Sequence, residues 1–175
     1  MRVNRRDNLP TTLYTTERGL ERTRARLAQA RARYFAVCDS NEDAAGAGDS
    51  SVWHDNFAYE ENQRQMHQLA RRVRELENAI DRLEVVSAYK IAPDTVRLGC
   101  SVRVRFDDDG EERTFFLAGW ADGDPSQSRI SYLSPLGLAL VGAREGDART
   151  LSVAGETKEI EVREILAAPA EEVAS

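Results

Sequence analysis

The sequence predicts an α+β chain in two parts, an N-terminal antiparallel coiled-coil hairpin followed by a small α+β sheet domain. Three observations predict it. Apolar residues recur at alternating spacings of three and four through the first half, the signature of a coiled-coil seam. Breakers are scarce there, with Pro10 and then only Gly19, Gly46 and Gly48 before residue 88. Beyond Pro93 the pattern turns to short β-branched runs punctuated by Gly, Asp and Pro. The shift of composition near residues 87–96 divides the chain into residues 1–88 and 89–175.

Thr16 is placed to N-cap a first helix, with Gly19 a weak point just inside it. A seam of Leu20, Thr23, Leu27, Ala30, Tyr34 and Val37 carries that helix to about residue 38. The second seam is stronger: Tyr59, Asn62, Met66, Leu69, Val73, Leu76, Ile80 and Leu83. At 1.5 Å per residue this helix of about 28 residues would be on the order of 40 Å long. A loop of about residues 39–55 joins the two, and its glycines favour folding back over a generic dimerising coil. Asn62 on the seam would set register at some cost in stability.

The charges of the hairpin are segregated. From Tyr34 through Gln63 there are seven acids, Asp39, Glu42, Asp43, Asp49, Asp55, Glu60 and Glu61, and no Lys or Arg. The stem before it carries Arg18, Arg22, Arg24, Arg26, Arg31 and Arg33 against Glu17 and Glu21. Such faces are ordinary solvated surface, or contacts for a charged partner. Asp49 after Gly48 suits a turn, and Asp55 suits the N-cap of the second helix; neither role excludes a metal-directing one. Trp53 in the loop either folds back on the helix ends or anchors a contact.

The second half predicts about five strands and a short helix. In residues 101–106 Val102, Val104 and Phe106 alternate with polar residues, and Gly110 supplies the turn that follows. Residues 114–120 and 130–133 are further strands. Ser134 and Pro135 are an N-cap and first-turn pair for a helix over 135–142. Residues 150–153 and 159–166 form a hairpin about Gly155, and the tail 167–175 is expected to fray.

Composition excludes several classes. The net charge of −6 and pI near 5.1 argue against a protein that simply coats nucleic acid. No apolar run reaches the roughly 18 residues of a membrane span, and residues 1–10 lack a secretory apolar stretch. Cys38, Cys100, His54 and His67 make neither zinc-ligand spacing nor a disulfide framework. The expected location is cytoplasmic.

Three segments carry a resemblance. Gly48-Asp49 with Asp55-Asn56-Phe57-Ala58-Tyr59, Ser134 through Gly142, and Gly146-Asp147 before a strand resemble the bacterial Gre-type (GreA/GreB) transcript cleavage and transcription elongation factors and their paralogues. The resemblance covers roughly residues 13–166. It implies an FKBP-like second domain, RNA polymerase as the partner, contact with nascent RNA only indirectly, DNA at most secondarily, no membrane, and a monomer when free. It also implies that the chain modulates another enzyme's active site without being an enzyme itself. Asp49 and Asp55 match the family's metal-directing acids, acting on Mg²⁺ shared with the polymerase. Trp53, Asn56 and Tyr59 at the tip, and Ser134, Pro135 and Leu136 in the helix, are the implied partner contacts.

The chain departs from the family pattern at the tip. Five residues, Ser50 to His54, separate the two tip motifs where the family has two, and Asp55 stands where the family has glutamate. Some paralogues inhibit the polymerase instead of stimulating cleavage, so a channel-plugging inhibitor is the alternative. A prolyl isomerase is a weaker competitor, because Phe106, Phe115, Phe116, Trp120 and Tyr132 fall largely on strands where core packing explains them.

Overall fold

The computed structural model describes residues 12–46, 55–108 and 110–173. Compactness divides the chain differently from composition. One unit gathers the residues up to Arg22 together with those from Arg82 onward, and the other is Thr23–Asp81.

The second unit is a pair of helices. Helix α1 spans Glu17–Gly46 and α2 spans Asp55–Ile80. They run antiparallel: Arg31 Nη2 reaches Glu77 Oε1 at 2.6 Å, and one groove is lined by Arg33, Val37, Leu69 and Arg72. Every described seam position from Asn62 to Ile80 is buried or half-buried, and Thr23, Leu76, Ala79 and Ala30 are the most enclosed of the described residues in this unit. Phe35, off the seam, is exposed. Two boundaries differ from the expectation. Helix α1 continues through Asp39, Glu42 and Asp43 to Gly46, because nothing from 39 to 45 is Gly or Pro and an acidic run remains compatible with helix. Leu83, the last predicted seam residue, lies instead in a strand.

That strand, β2 (Leu83–Val86), pairs in parallel with β1 (Leu13–Thr16), Leu13 opposite Leu83. Neither four-residue strand is announced by its sequence, which is too short for a period to show. Thr16 does cap α1: its Oγ1 accepts the Gly19 N–H at 3.1 Å. Gly19 is not a weakness, since a Cβ there would strike Thr15 Oγ1.

The remainder of this unit is a five-stranded sheet in the order β5-β4-β3-β7-β6. Its strands are β3 (Ser101–Phe106), β4 (Glu112–Ala118), β5 (Arg129–Ser131), β6 (Ala148–Val153) and β7 (Glu156–Leu166). Pairings are antiparallel except β4 with β5. The predicted alternation holds, with Val102, Val104 and Phe106 all in the core beside Leu117, Ile160 and Val162. Helix α3 (Pro135–Leu140) closes that core with Leu140, fully buried. Gly110 and Gly155 take positive φ at the two turns, as their sequence positions predict.

The C-terminal tail does not fray over its described length. Ala168 N–H donates to Tyr89 O at 2.8 Å, and Ala170–Glu172 form a 3-10 turn that buries Glu172. Arg22 bridges two enclosed carboxylates: Nε to Asp122 Oδ1 at 2.8 Å, and Nη2 to Asp122 Oδ2 at 2.6 Å and Glu172 Oε2 at 2.8 Å. Arg129 faces Glu172 at 3.7 Å and Asp124 at 3.4 Å. Burial pulls the Arg22 guanidinium down, but its bonds to Asp122 and Glu172 more than offset this and raise it above its ordinary value. Partners separated by 100 and 150 residues leave no local pattern in a sequence.

Candidate functional site

Two regions hold the residues singled out by sequence, one in each unit. At the far end of the helical pair, Asp49 and Trp53 lie outside the described residues. Asp55, Asn56 and Tyr59 fall in the first turns of α2, and the positions of their side chains are likewise outside what is described. Because α1 runs to Gly46 and α2 begins at Asp55, residues 47–54 are all that separates the helices, half the length the sequence suggests. Among the described residues no three His, Cys, Asp or Glu side chains gather as a metal-ion site. Asp49 and Asp55 would offer hard carboxylate oxygens, the donor type Mg²⁺ takes, but fewer than its octahedral shell requires.

In the sheet unit, the start of α3 is built by Ser134. Its Oγ accepts the Gly137 N–H at 3.0 Å and donates to Ser131 O at 2.7 Å, so the hydroxyl is consumed locally. Pro135 occupies the first helical position, and Leu136 is half-buried against the core. The apolar side chains this helix presents outward are others: Leu138 is 62% exposed and Val141 just past its end is 47% exposed. Sequence periodicity could not separate them from Leu140, because a six-residue helix completes fewer than two turns.

Beside Val141 lies a groove of about 760 Å³ lined by Tyr14, Val86, Tyr89, Leu98 and Tyr132, with Lys90 and Arg97 contributing charge. Tyr14 and Tyr132 meet edge to face with ring centroids 6.4 Å apart, and the Tyr14 N–H donates to Tyr132 Oη at 3.2 Å. Burial pushes the Tyr132 phenol up, and the Tyr14 amide partly opposes this. The groove combines residues from β1, the end of β2, the segment after it and the turn before α3. No single stretch of sequence contains it. An apolar, aromatic concavity with a few charges is the usual form of a recognition surface.

The helical pair and the mixed sheet with helix α3 make this an α+β chain, and its family is shown by its likeness to known proteins. Residues 13–85 match the family described as transcription elongation factor, N-terminal, and residues 91–167 match transcription elongation factor, GreA/GreB, C-term. The chain is 37% identical over 134 residues to transcription elongation factor GreA of Chloroflexus aurantiacus, covering 75% of this chain and 82% of that one. It is 34% identical over 127 residues to GreA of Rhodospirillum rubrum, covering 73% and 79% respectively. Among solved structures it aligns with Thermus aquaticus Gfh1 at 23% identity and TM-score 0.42, covering 90% of this chain and 99% of that one. The chain belongs to the GreA/GreB family of transcription elongation factors. No helix among the described residues is long and apolar enough to cross a membrane.

Proposed function

We propose that the chain binds RNA polymerase through its sheet unit, enters the secondary channel with its helical pair, and promotes cleavage of backtracked RNA through Asp49 and Asp55. One observation supports this most. Two helices of 30 and 26 residues converge on a segment of residues 47–54, and both acids lie in that segment or at the first residue of α2. At 1.5 Å per residue, α2 extends about 39 Å, enough to carry carboxylates to a buried active centre.

The metal belongs to this proposal and is shared with the polymerase; when bound, a second ion stabilises the attacking and leaving oxygens of phosphodiester hydrolysis. The chain's own part is to deliver two carboxylates. Asp39, Glu42 and Asp43 add negative charge in the last turns of α1, so the helical pair would present an acidic end to the polymerase. On this reading the factor performs no reaction alone.

The wider spacing between Gly48-Asp49 and Asp55-Asn56, and aspartate in place of glutamate, favour a second reading as a channel-plugging inhibitor. One experiment separates them. Asp49→Asn/Asp55→Asn keeps shape while removing two charges. RNA shortening and nucleotide addition are measured on one backtracked elongation complex with Mg²⁺. The cleavage reading expects shortening by the wild type and a loss of at least 100-fold in the double variant, with polymerase affinity little changed. Slowed addition without shortening, equal in both proteins, assigns the inhibitor.

A further inference from the structure

The family match ends at residue 167, yet the tail beyond it contributes a buried carboxylate. Glu172 is 3% exposed and Asp122 fully enclosed, and both grip Arg22. Removing a carboxylate from water is expensive unless it is paired and hydrogen-bonded. A tail whose acid is driven into such a site is therefore held, and it holds what it touches. Arg22 is the last residue of its compact unit, while α1 runs on into the other.

The rest of the local structure also fastens the root of α1. Thr16 caps the helix, a Cβ at Gly19 would meet Thr15 Oγ1, and a Cβ at Gly119 would stand 2.5 Å from Thr15 Cα. These contacts seat the first turn. The Arg22 bridge seats the second, and Glu172 is the one member of it supplied from beyond the family match. Arg129 ties the same carboxylate to β5, at 3.7 Å.

We propose that residues 168–173 form a strap on the root of α1, with Glu172 a positioning residue that holds the first two turns of the helix in place. The need for one follows from leverage. A 30-residue helix is about 45 Å long, and tilting its first turns by ~10° would displace its far end by about 8 Å. Chemistry assisted by a positioned group tolerates errors nearer ~1 Å.

The mechanical part of this inference is independent of the function proposed above; its consequence for activity rests on that function. The test is amide hydrogen exchange on the full chain, comparing wild type with Glu172→Gln, which keeps size and one acceptor but removes the charge. Protection of residues 18–26 should fall at least tenfold while β3 and β7 stay within twofold. Arg22→Lys, which keeps the charge but loses the fork that spans both carboxylates, should give the same local pattern. Unchanged protection of residues 18–26 in both variants overturns the strap. So does a loss spread evenly over β3 and β7, because that is general destabilisation. In the polymerase assay the Glu172→Gln variant should retain affinity within about threefold and lose at least tenfold of its tip-dependent effect. Local loosening without that loss of effect overturns the positioning role but leaves the docking and cleavage reading standing. Absence of any wild-type effect on RNA or addition counts against the functional reading, while the exchange result still decides the strap.

Discussion

Gly137 lies hard against Tyr132: a Cβ added to the glycine would stand 2.8 Å from Tyr132 Cα and 2.9 Å from its carbonyl carbon. Helix α3 is thus pressed directly onto the chain that leaves β5, and position 137 has no room for a side chain. Gly137→Ala should lower stability by about 1–3 kcal/mol, as overpacking of a closed interface does. Urea unfolding monitored by circular dichroism checks this. A midpoint equal to wild type would mean that α3 can move away without cost.

Ser134→Ala removes the cap from the same helix. The expected loss is about 1 kcal/mol, within the range measured for capping residues, seen as a lower urea midpoint with an unchanged slope. Ser134→Asp should recover most of it, since aspartate also accepts the N-terminal amide. Failure of the aspartate to recover stability would show that the donation to Ser131 O outweighs the cap.

Leu138 and Val141 are exposed and carry little of the fold. Leu138→Asp/Val141→Asp should change the unfolding midpoint hardly at all, within about 0.5 kcal/mol per site. If the sheet unit docks on the polymerase through this face, affinity should fall at least tenfold, measurable by competition with labelled wild type. Retained affinity would move the docking surface elsewhere on the unit.

The two thiols should behave differently. Cys38 is half-buried on α1 and Cys100 is buried in the core, and both are free. A chromogenic disulfide reagent should titrate one thiol in the native protein and the second only after unfolding. Two fast thiols would place Cys100 in a far looser core than described.

Burial pushes the Cys100 thiol up from its ordinary value. The sign follows from linkage: a raised folded value leaves stability intact below the unfolded thiol's range and erodes it as pH climbs toward the folded one. Tyr132 is displaced in the same direction, beginning near the higher range of a phenol. Wild-type stability should therefore decline relative to Cys100→Ala from about pH 8.5 upward, by at most about 1.4 kcal/mol per pH unit. Parallel urea titrations at pH 7.5 and 9.5 would reveal a constant difference if the thiol does not contribute.

Local signals were legible and distant ones were not. The alternation of Val102, Val104 and Phe106, the Ser134-Pro135 start, the seam from Asn62 to Ile80 and the glycines at the turns each express a period or a cap that a few neighbouring residues determine. Strands β1 and β2 escaped because four residues show no period and their stability comes from each other across the whole helical pair. Arg22 read as one more arginine on a solvated stem; its role depends on Asp122 and Glu172, which only folding brings near. The tip was legible as an acidic segment, but the end of α1 was misplaced because helix propensity through residues 39–45 competes with the turn signals of Gly46 and Gly48. The tyrosine groove had no sequence signal, since Tyr14, Tyr89 and Tyr132 arrive from three separate segments.

The parallel pairing of Leu13 with Leu83 makes the helical pair an insertion within a unit that closes on itself. A separated piece such as residues 89–175 would lack β1, β2 and Arg22, and so would be an incomplete version of the sheet unit. Conversely, whole heptads added to or removed from both helices in step leave each end of the insertion where it was. Reach is therefore an adjustable property of this architecture, and it can be varied without touching the surface that remains behind.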